Sequence, residues 1–291
     1  MFQDQVKDII ARHVTQDGLT ETGITGVQLF RATQAIPCAP VVYEPSVIAI
    51  ASGSKEAVFD GTRHIYDNTR YMCCPMSMPI QAGTLDASAQ TPLYGVYITL
   101  NQSMMSDVAL KLETHGELRG SSAAIKGIGL AQWDDAFCDA LLRLLRLCGK
   151  DGDIAVLAEG RLRELYYAIL MGEAGQFARH SFGVGNTVAR SIAHVAAHLQ
   201  DPMTIDDLAH HAGMSRAAFH RKFKQATTLS PIQYIKTMRL NSAAMKIAEG
   251  ESIAKAAQDV GYLSASQFSR EFKRLYGCAP KHWQDMRQAP T

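Results

Sequence analysis

The sequence predicts a multidomain α+β chain: an N-terminal β-barrel with helices after it, then an all-α domain of two helix-turn-helix units. Three observations predict this. Residues 26–100 hold seven short segments rich in β-branched and aromatic residues, separated by Gly, Pro, Asn and Asp. Residues 133–172 change to the spacing of amphipathic helices. Residues 204–231 and 252–280 carry one amphipathic pattern twice. With 291 residues, 47% apolar and 20% charged, the chain has the length for two cores and the composition of an ordinary globular protein.

Taken in order, residues 2–13 read as a short helix. The start, MFQDQVKDII, lacks the basic and apolar zones of a signal peptide, and no apolar run nears the ~20 residues of a membrane span. A cytoplasmic chain is the expectation. The strand segments are VQLFRATQ, VVYEPSVIAIASG, EAVFD, RHIYD, RYMCCPM, PIQAGTL and LYGVYITL. Asp60-Gly61 is a two-residue hairpin signal of type I′. Seven short strands with such turns favour a small barrel or sandwich over a parallel sheet.

Ser103–Leu112 is a short helix. In the next, Phe137, Leu141, Leu144, Leu145 and Cys148 share a face, with Trp133 near its start. The following one carries Leu157, Leu162, Leu165, Tyr166, Ile169 and Leu170 on a broad stripe. These helices either complete the barrel core or pair with a second subunit. The glycine-rich stretch 172–186 breaks periodicity and marks the boundary between domains 1–180 and 187–291. Helices are then expected at 187–199, 204–211, 215–226, 231–248, 252–259 and 264–276. The 231–248 helix bridges the two repeats through Ile232, Ile235, Met238, Leu240, Ala243, Ala244 and Ile247.

In the repeat, Ile205 to Gly213 and Ile253 to Gly261 are both eight residues. After a turn one residue longer in the second copy, Ser215/Ser264, Phe219/Phe268, Arg221/Arg270, Phe223/Phe272, Lys224/Lys273 and Pro231/Pro280 keep identical spacings. Each unit (204–226 and 252–276) is a helix, a glycine turn and a second helix starting at a serine N-cap. Phe219 and Phe223 face inward, leaving Ala217, His220, Arg221 and Lys224 outside. Phe268 and Phe272 likewise leave Ser266, Ser269, Arg270 and Lys273 outside, with Gln267 at the edge. Such helices fit a major groove about 12 Å wide, where Arg grips guanine and Gln pairs with adenine. Lys222, Lys224, Lys273 and Arg274 suit phosphates. Charge agrees: residues 187–291 sum to +6 and residues 1–186 to −5.

Residues GYLSASQFSREFKRLYGCAPKHW resemble the C-terminal signature of the AraC/XylS family of bacterial transcription regulators, and the resemblance spans roughly 187–285. One departure is Gln284, where the family usually has Arg. The resemblance implies two helix-turn-helix units held by a connecting helix, their recognition helices entering successive major grooves. By position it implies base contacts from Ala217, His220 and Arg221, then from Ser266, Gln267 and Arg270. Residues 40–100 resemble more weakly the cupin-like N-terminal domain of one branch of that family, which implies an effector-binding or dimerisation domain. Its effector pocket is assigned to Tyr43, Cys73, Cys74 and Tyr97 among the barrel segments.

No catalytic residues, cofactor or metal are expected. His64 is the only histidine between 14 and 114, against the several that an enzymatic cupin needs. His194 and His198 lie i,i+4 without an evident third ligand. His210-His211 suit a helix C-terminus. Six scattered cysteines read as reduced thiols, and in a strand Cys73 and Cys74 point to opposite faces. The expected function is a sequence-specific DNA-binding transcriptional regulator, an activator by family resemblance, controlled by a small-molecule effector. Its expected partners are double-stranded DNA, RNA polymerase and a second copy of itself. The alternative is an architectural DNA-binding protein whose barrel serves only dimerisation.

Overall fold

The computed structural model describes residues 2–59, 61–116, 127–183 and 186–288. The chain divides into two compact units. The first comprises Met1–Cys38, Glu44–Met76 and Ala82–Asn186; the second comprises Ala39–Tyr43, Ser77–Gln81 and Thr187–Thr291. Among the described residues, no helix is long and apolar enough to cross a membrane.

The chain opens with α1 (Phe2–His13), which buries Val6 and Ile10, one turn apart. Strands β1 (Gly18–Glu21), β2 (Val27–Ala32), β3 (Ile36–Tyr43), β4 (Ser46–Ser52), β5 (Lys55–Phe59), β6 (Thr62–Tyr66), β7 (Arg70–Cys74), β8 (Met78–Thr84) and β9 (Leu93–Thr99) follow. A tenth, β10 (Gly129–Gln132), comes after α2 (Gln102–Thr114). They form a six-stranded sheet, β1-β2-β9-β4-β7-β10, and a four-stranded sheet, β3-β8-β5-β6. Each sheet keeps two edges, so the expected barrel is a pair of open sheets. The outer strands β1 and β10 have four residues each, which shortens the unpaired ladder. Neither was expected: GLTE has one apolar side chain, and Leu19 is exposed.

The hairpin at 60–61 is present, with Phe59 opposite Thr62 and Gly61 at φ +67°. Asp60 lies outside the described residues.

Register determines which side chains share a face of the larger sheet. Tyr97 pairs with Ile48, and Ile48 with Met72; Ser46 pairs with Cys74. Cys74 and Tyr97 therefore stand on one face. Val47, Cys73, Val96 and Ile98 stand on the other, in the core with α1, α3 (Asp135–Leu145), α4 (Asp151–Met171) and α5 (Gly175–Phe182). There the Tyr71 ring stacks on Phe137 at 3.9 Å, with Trp133 edge-on to Phe137 at 5.5 Å. Tyr166 on α4 donates to Thr99 O (2.8 Å) and accepts from Asn101 N (3.1 Å), fixing the helix to the end of β9.

The face predicted for α3 is buried throughout. On α4 the stripe holds from Leu162 onward, but Leu157 is 41% exposed and Val156 80%. Helix α5 sits in the stretch read as a break. Ala174, Ala178 and Phe182 recur every fourth residue and are buried, a pattern that small side chains and glycines disguise. A Cβ at Gly129 would lie 2.3 Å from the half-buried Phe177 ring, so a larger residue there requires that ring to move.

In the second unit, α6 (Thr187–Ala197), α7 (Ile205–His211), α8 (Arg216–Thr227), α9 (Pro231–Ala248), α10 (Ile253–Asp259) and α11 (Ala265–Tyr276) fall where expected. Helix α12 (Pro280–Gln288) adds a seventh. Its Trp283 packs on Tyr276 at 5.5 Å and donates Nε1 to Ala244 O at 3.4 Å. Helix α9 departs from its expected face: Ile232 is 61% exposed, whereas Tyr234 and Asn241 are buried. Tyr234 donates its hydroxyl to Ser77 O. Asn241 Nδ2 donates to Val41 O and Ile80 O, both at 2.9 Å, and its Oδ1 accepts from Tyr276 OH at 2.6 Å. The strand segments 39–43 and 77–81 thus satisfy polar groups of the helical core, which explains why they belong to this unit.

Candidate nucleic-acid interface

Both repeats are built by the same local chemistry. Helix α7 starts with a capping box, Thr204 Oγ1 accepting from Asp207 N while the Asp207 carboxylate accepts from Thr204 N. It ends at Gly213 (φ +64°), with Gly213 N bonded to His210 O and Met214 N to Ala209 O, each at 2.9 Å. Helix α10 ends identically. Gly261 has φ +86°, Gly261 N bonds to Gln258 O (2.9 Å) and Tyr262 N to Ala257 O (3.0 Å). Ser215 and Ser264 then cap α8 and α11, accepting from Ala218 N and Gln267 N at 3.3 Å.

On α8, Phe219 and Phe223 are fully buried and 5.4 Å apart; on α11, Phe268 and Phe272 repeat that geometry at 5.4 Å. Opposite them Ala217, His220, Arg221, Lys222 and Lys224 are exposed, as are Ser266, Gln267, Arg270, Lys273 and Arg274. Every residue assigned to bases or phosphates therefore lies on an exposed surface of its helix. Among the described residues none of the six cations in this set joins an ion pair, whereas Arg216 is neutralised by Asp206 at 3.1 Å.

Helix α9 touches both second helices through residues two apart. Tyr234 meets Phe223 of α8 edge-on at 5.2 Å, and Lys236 Nζ pairs with Glu271 of α11 at 3.0 Å. Glu271 escaped the sequence reading because its role depends on partners from two other elements. It accepts from Tyr262 OH (2.8 Å) and Lys236, and from Gln267 Nε2 at 3.5 Å. Burial pushes its carboxyl up, and the bonds from Tyr262, Lys236 and Gln267 outweigh that, leaving it below the usual carboxylate range. The charged Glu271 thus offers Gln267 Nε2 an acceptor one helical turn away on the exposed side of the helix.

His211 was likewise missed as a neighbour of the His194–His198 pair. The His194 ring lies 4.3 Å from His198 and 5.3 Å from His211. Partial burial and the two neighbouring imidazoles depress the His194 pKa, against a weaker opposite pull from Asp201. Among the described residues no group of three His, Cys, Asp or Glu is placed to hold a metal.

Of the four residues assigned to an effector, Cys74 and Tyr97 share one face of the larger sheet and Cys73 stands on the other. Tyr43 is buried in the second unit. Cys73 and Cys74 are wholly buried on opposite faces of β7, and Tyr97 is half-buried on the face of Cys74. Burial pushes the Cys73 thiol up to about 12 and the Cys74 thiol well above its usual range; Cys74 Sγ donates to Met76 O at 3.1 Å.

The chain is similar to known transcriptional regulators. The curated relatives include the probable transcriptional regulator LumQ of Photobacterium leiognathi, 34% identical over 92 residues, which is 31% of this chain and 37% of LumQ. The regulator AlkR of Acinetobacter baylyi is 31% identical over 97 residues, 33% of this chain and 32% of AlkR. The chain thus spans about a third of the length of the curated relatives it matches. Over nearly the whole chain the fold is similar to that of ToxT from Vibrio cholerae, in a crystal structure with bound unsaturated fatty acid. The TM-score is 0.56 at 13% identity, covering 91% of this chain and 96% of that one. ToxT bound to (E)-4-(8-methylnaphthalen-1-yl)but-3-enoic acid gives 0.53 at 15% identity, covering 90% and 98%. A helix-turn-helix domain model matches residues 208–286. The model of the AraC-type transcriptional regulator N-terminus matches residues 23–177, more than half of the chain, and the chain belongs to the AraC family of transcriptional regulators.

Proposed function

We propose that the chain binds double-stranded DNA sequence-specifically and activates transcription under control of a small-molecule effector held by residues 1–180. The observation that carries this is the duplicated exposed helix face, with Arg221 and Arg270 at matched positions and free of ion pairs among the described residues. Arg221 and Arg270 read guanines, Gln267 an adenine, and Ala217, His220 and Ser266 complete the base-facing set. Lys222, Lys224, Lys273 and Arg274 hold phosphates. The two faces differ, so the DNA site is asymmetric. RNA polymerase is the partner through which activation would act.

In the N-terminal domain, Tyr97 and Cys74 share a sheet face and are the stronger effector candidates, ahead of Tyr43 and Cys73. ToxT binds an unsaturated fatty acid, which makes an apolar carboxylate the first probe. Homodimerisation is assigned to the helical side of this domain, where Val156, Leu157 and Tyr167 of α4 are exposed.

The test is selection from a random duplex pool, followed by competition against unselected DNA. Replacing Arg221 and Arg270 together by Ala is expected to remove each arginine's discrimination, roughly 1–3 kcal/mol apiece. Unchanged specific binding by that double variant overturns the assignment of the faces. Equal binding of selected and random DNA by the wild type would favour an architectural role instead.

A further inference from the structure

The two reading units differ by one residue, and the structure shows where it sits. Up to the glycine turn they match: Met214 N bonds to Ala209 O, and Tyr262 N to Ala257 O. Tyr262 thus takes the place of Met214. In the first unit the N-cap Ser215 follows at once. In the second, Leu263 stands between Tyr262 and the N-cap Ser264, so Leu263 is the additional residue.

Leu263 is 103% exposed, the most exposed large apolar side chain among the described residues. Its neighbours on both sides are anchored. The Tyr262 ring meets Phe268 edge-on at 5.3 Å, and its hydroxyl donates to Glu271 at 2.8 Å. Gly261 fits closely, since a Cβ there would lie 2.7 Å from Gln200 O. Ser264 caps α11. An apolar side chain is therefore held in water at the leading end of the helix that carries Ser266 and Gln267. That end of a recognition helix is the one that meets base edges. An apolar side chain finds one matching group there, the 5-methyl of thymine, which projects into the major groove.

We propose that Leu263 is a specificity-determining residue that packs on a thymine 5-methyl group in the half-site read by α11, a contact with no counterpart in the first unit. The inference rests on the DNA-reading function proposed above. Because the turn is already ordered, little conformational freedom is lost on contact.

The probe is the duplex that the full-length wild type selects from a random pool, with each thymine replaced in turn by deoxyuracil, which lacks only that methyl. Burial of one methyl-sized group corresponds to about fourfold in affinity. The wild type should lose about that factor at one thymine of the second half-site. Leu263→Ala should bind the unsubstituted duplex more weakly by a similar factor and be indifferent to uracil at that position. Its thermal unfolding should match the wild type, since the side chain is fully exposed.

A variant with unchanged affinity, or with weaker affinity but the same uracil sensitivity, overturns the inference. So does a selected site with no methyl-sensitive thymine in that half. If the wild type selects no sequence at all, the DNA-reading function itself fails.

Discussion

Asn241 offers the sharpest test of what holds the second unit together. Its side chain is 3% exposed and makes three hydrogen bonds: two to the carbonyls of Val41 and Ile80, and one from Tyr276. Burial keeps the Tyr276 hydroxyl protonated throughout the ordinary pH range, so it remains a donor. Each such bond contributes ~1 kcal/mol net, and a buried group left without its partner costs 1–3 kcal/mol. Asn241→Ala is therefore expected to destabilise the unit by about 3 kcal/mol, a fall of about 10 °C in melting temperature for a unit of this size. Thermal and urea unfolding of the full chain read this directly. Tyr276→Phe removes one of the three bonds and should cost about 1 kcal/mol, and the double variant should be less than additive. Asn241→Asp keeps the acceptor for Tyr276 but sets a carboxylate against two carbonyls, so it should be worse than Ala. An Ala variant within 0.5 kcal/mol of wild type, or an Asp variant as stable as wild type, would refute the assignment of these bonds.

Other consequences are as direct. Gly213 and Gly261 both have positive φ, but a Cβ at Gly213 meets open space while one at Gly261 lies 2.7 Å from the Gln200 carbonyl. Gly213→Ala should cost ~1 kcal/mol of backbone strain, and Gly261→Ala clearly more; equal urea midpoints would show that the two turns are equivalent. Substituting Ala for Lys222, Lys224, Lys273 or Arg274 should each flatten the slope of log affinity against log salt by about 0.9 without changing sequence preference. A shifted preference would move that residue from phosphate to base contact. His194 has a depressed pKa in the fold, so the unfolded chain takes up its proton first as pH falls. Stability should drop as pH falls below about 6.5, and His194→Gln should flatten that drop. Parallel urea midpoints for the two proteins from pH 8 to pH 5 would contradict it.

The legible parts of the fold were those with a period and a punctuation mark. Five helices of the second unit start at Thr204, Ser215, Ser230, Ser252 and Ser264, whose side chains each accept from a backbone N–H of the first turn. Those caps and the Phe219/Phe223 spacing are local, and local chemistry is readable. Helix α5 is hidden because its buried face consists mainly of small residues, Gly175, Ala178 and Ser181, with Phe182 alone as a large apolar side chain. In α9 an apolar count admits Ile232 and passes over Tyr234 and Asn241. Their burial depends on carbonyls supplied from residues 41, 77 and 80, some 150–200 positions away. Long-range satisfaction of polar groups leaves no periodic trace. The same reason concealed Glu271 and placed His211 beside His194 unforeseen. The effector set fared differently: alternation separates Cys73 from Cys74, but register alone could show that Tyr97 shares the Cys74 face.

The duplication also makes the differences between the copies interpretable. Where the second helix of each unit ends, the matched residues are Thr228 (φ 63°) and Gly277 (φ 77°), so the first unit tolerates a β-branched residue in a conformation that suits glycine. Thr227 offsets this locally, donating its hydroxyl to Phe223 O at 2.9 Å and accepting from Leu229 N at 3.2 Å. The second unit instead gathers its polar bonds around Glu271, on the helix that carries Gln267 and Arg270. The first unit's exposed face has no carboxylate of its own on α8, and its base-facing set begins with the small Ala217. Two helices on one backbone plan thus differ in what orders their outer side chains: α11 has an acceptor for Gln267 in Glu271, and Glu271 is held by Lys236 from α9. A contact pre-ordered in this way loses less entropy on binding than one made by free side chains. The greater share of sequence discrimination should therefore come from the half-site read by α11, and Glu271→Ala should weaken discrimination there while leaving the half-site of α8 unchanged.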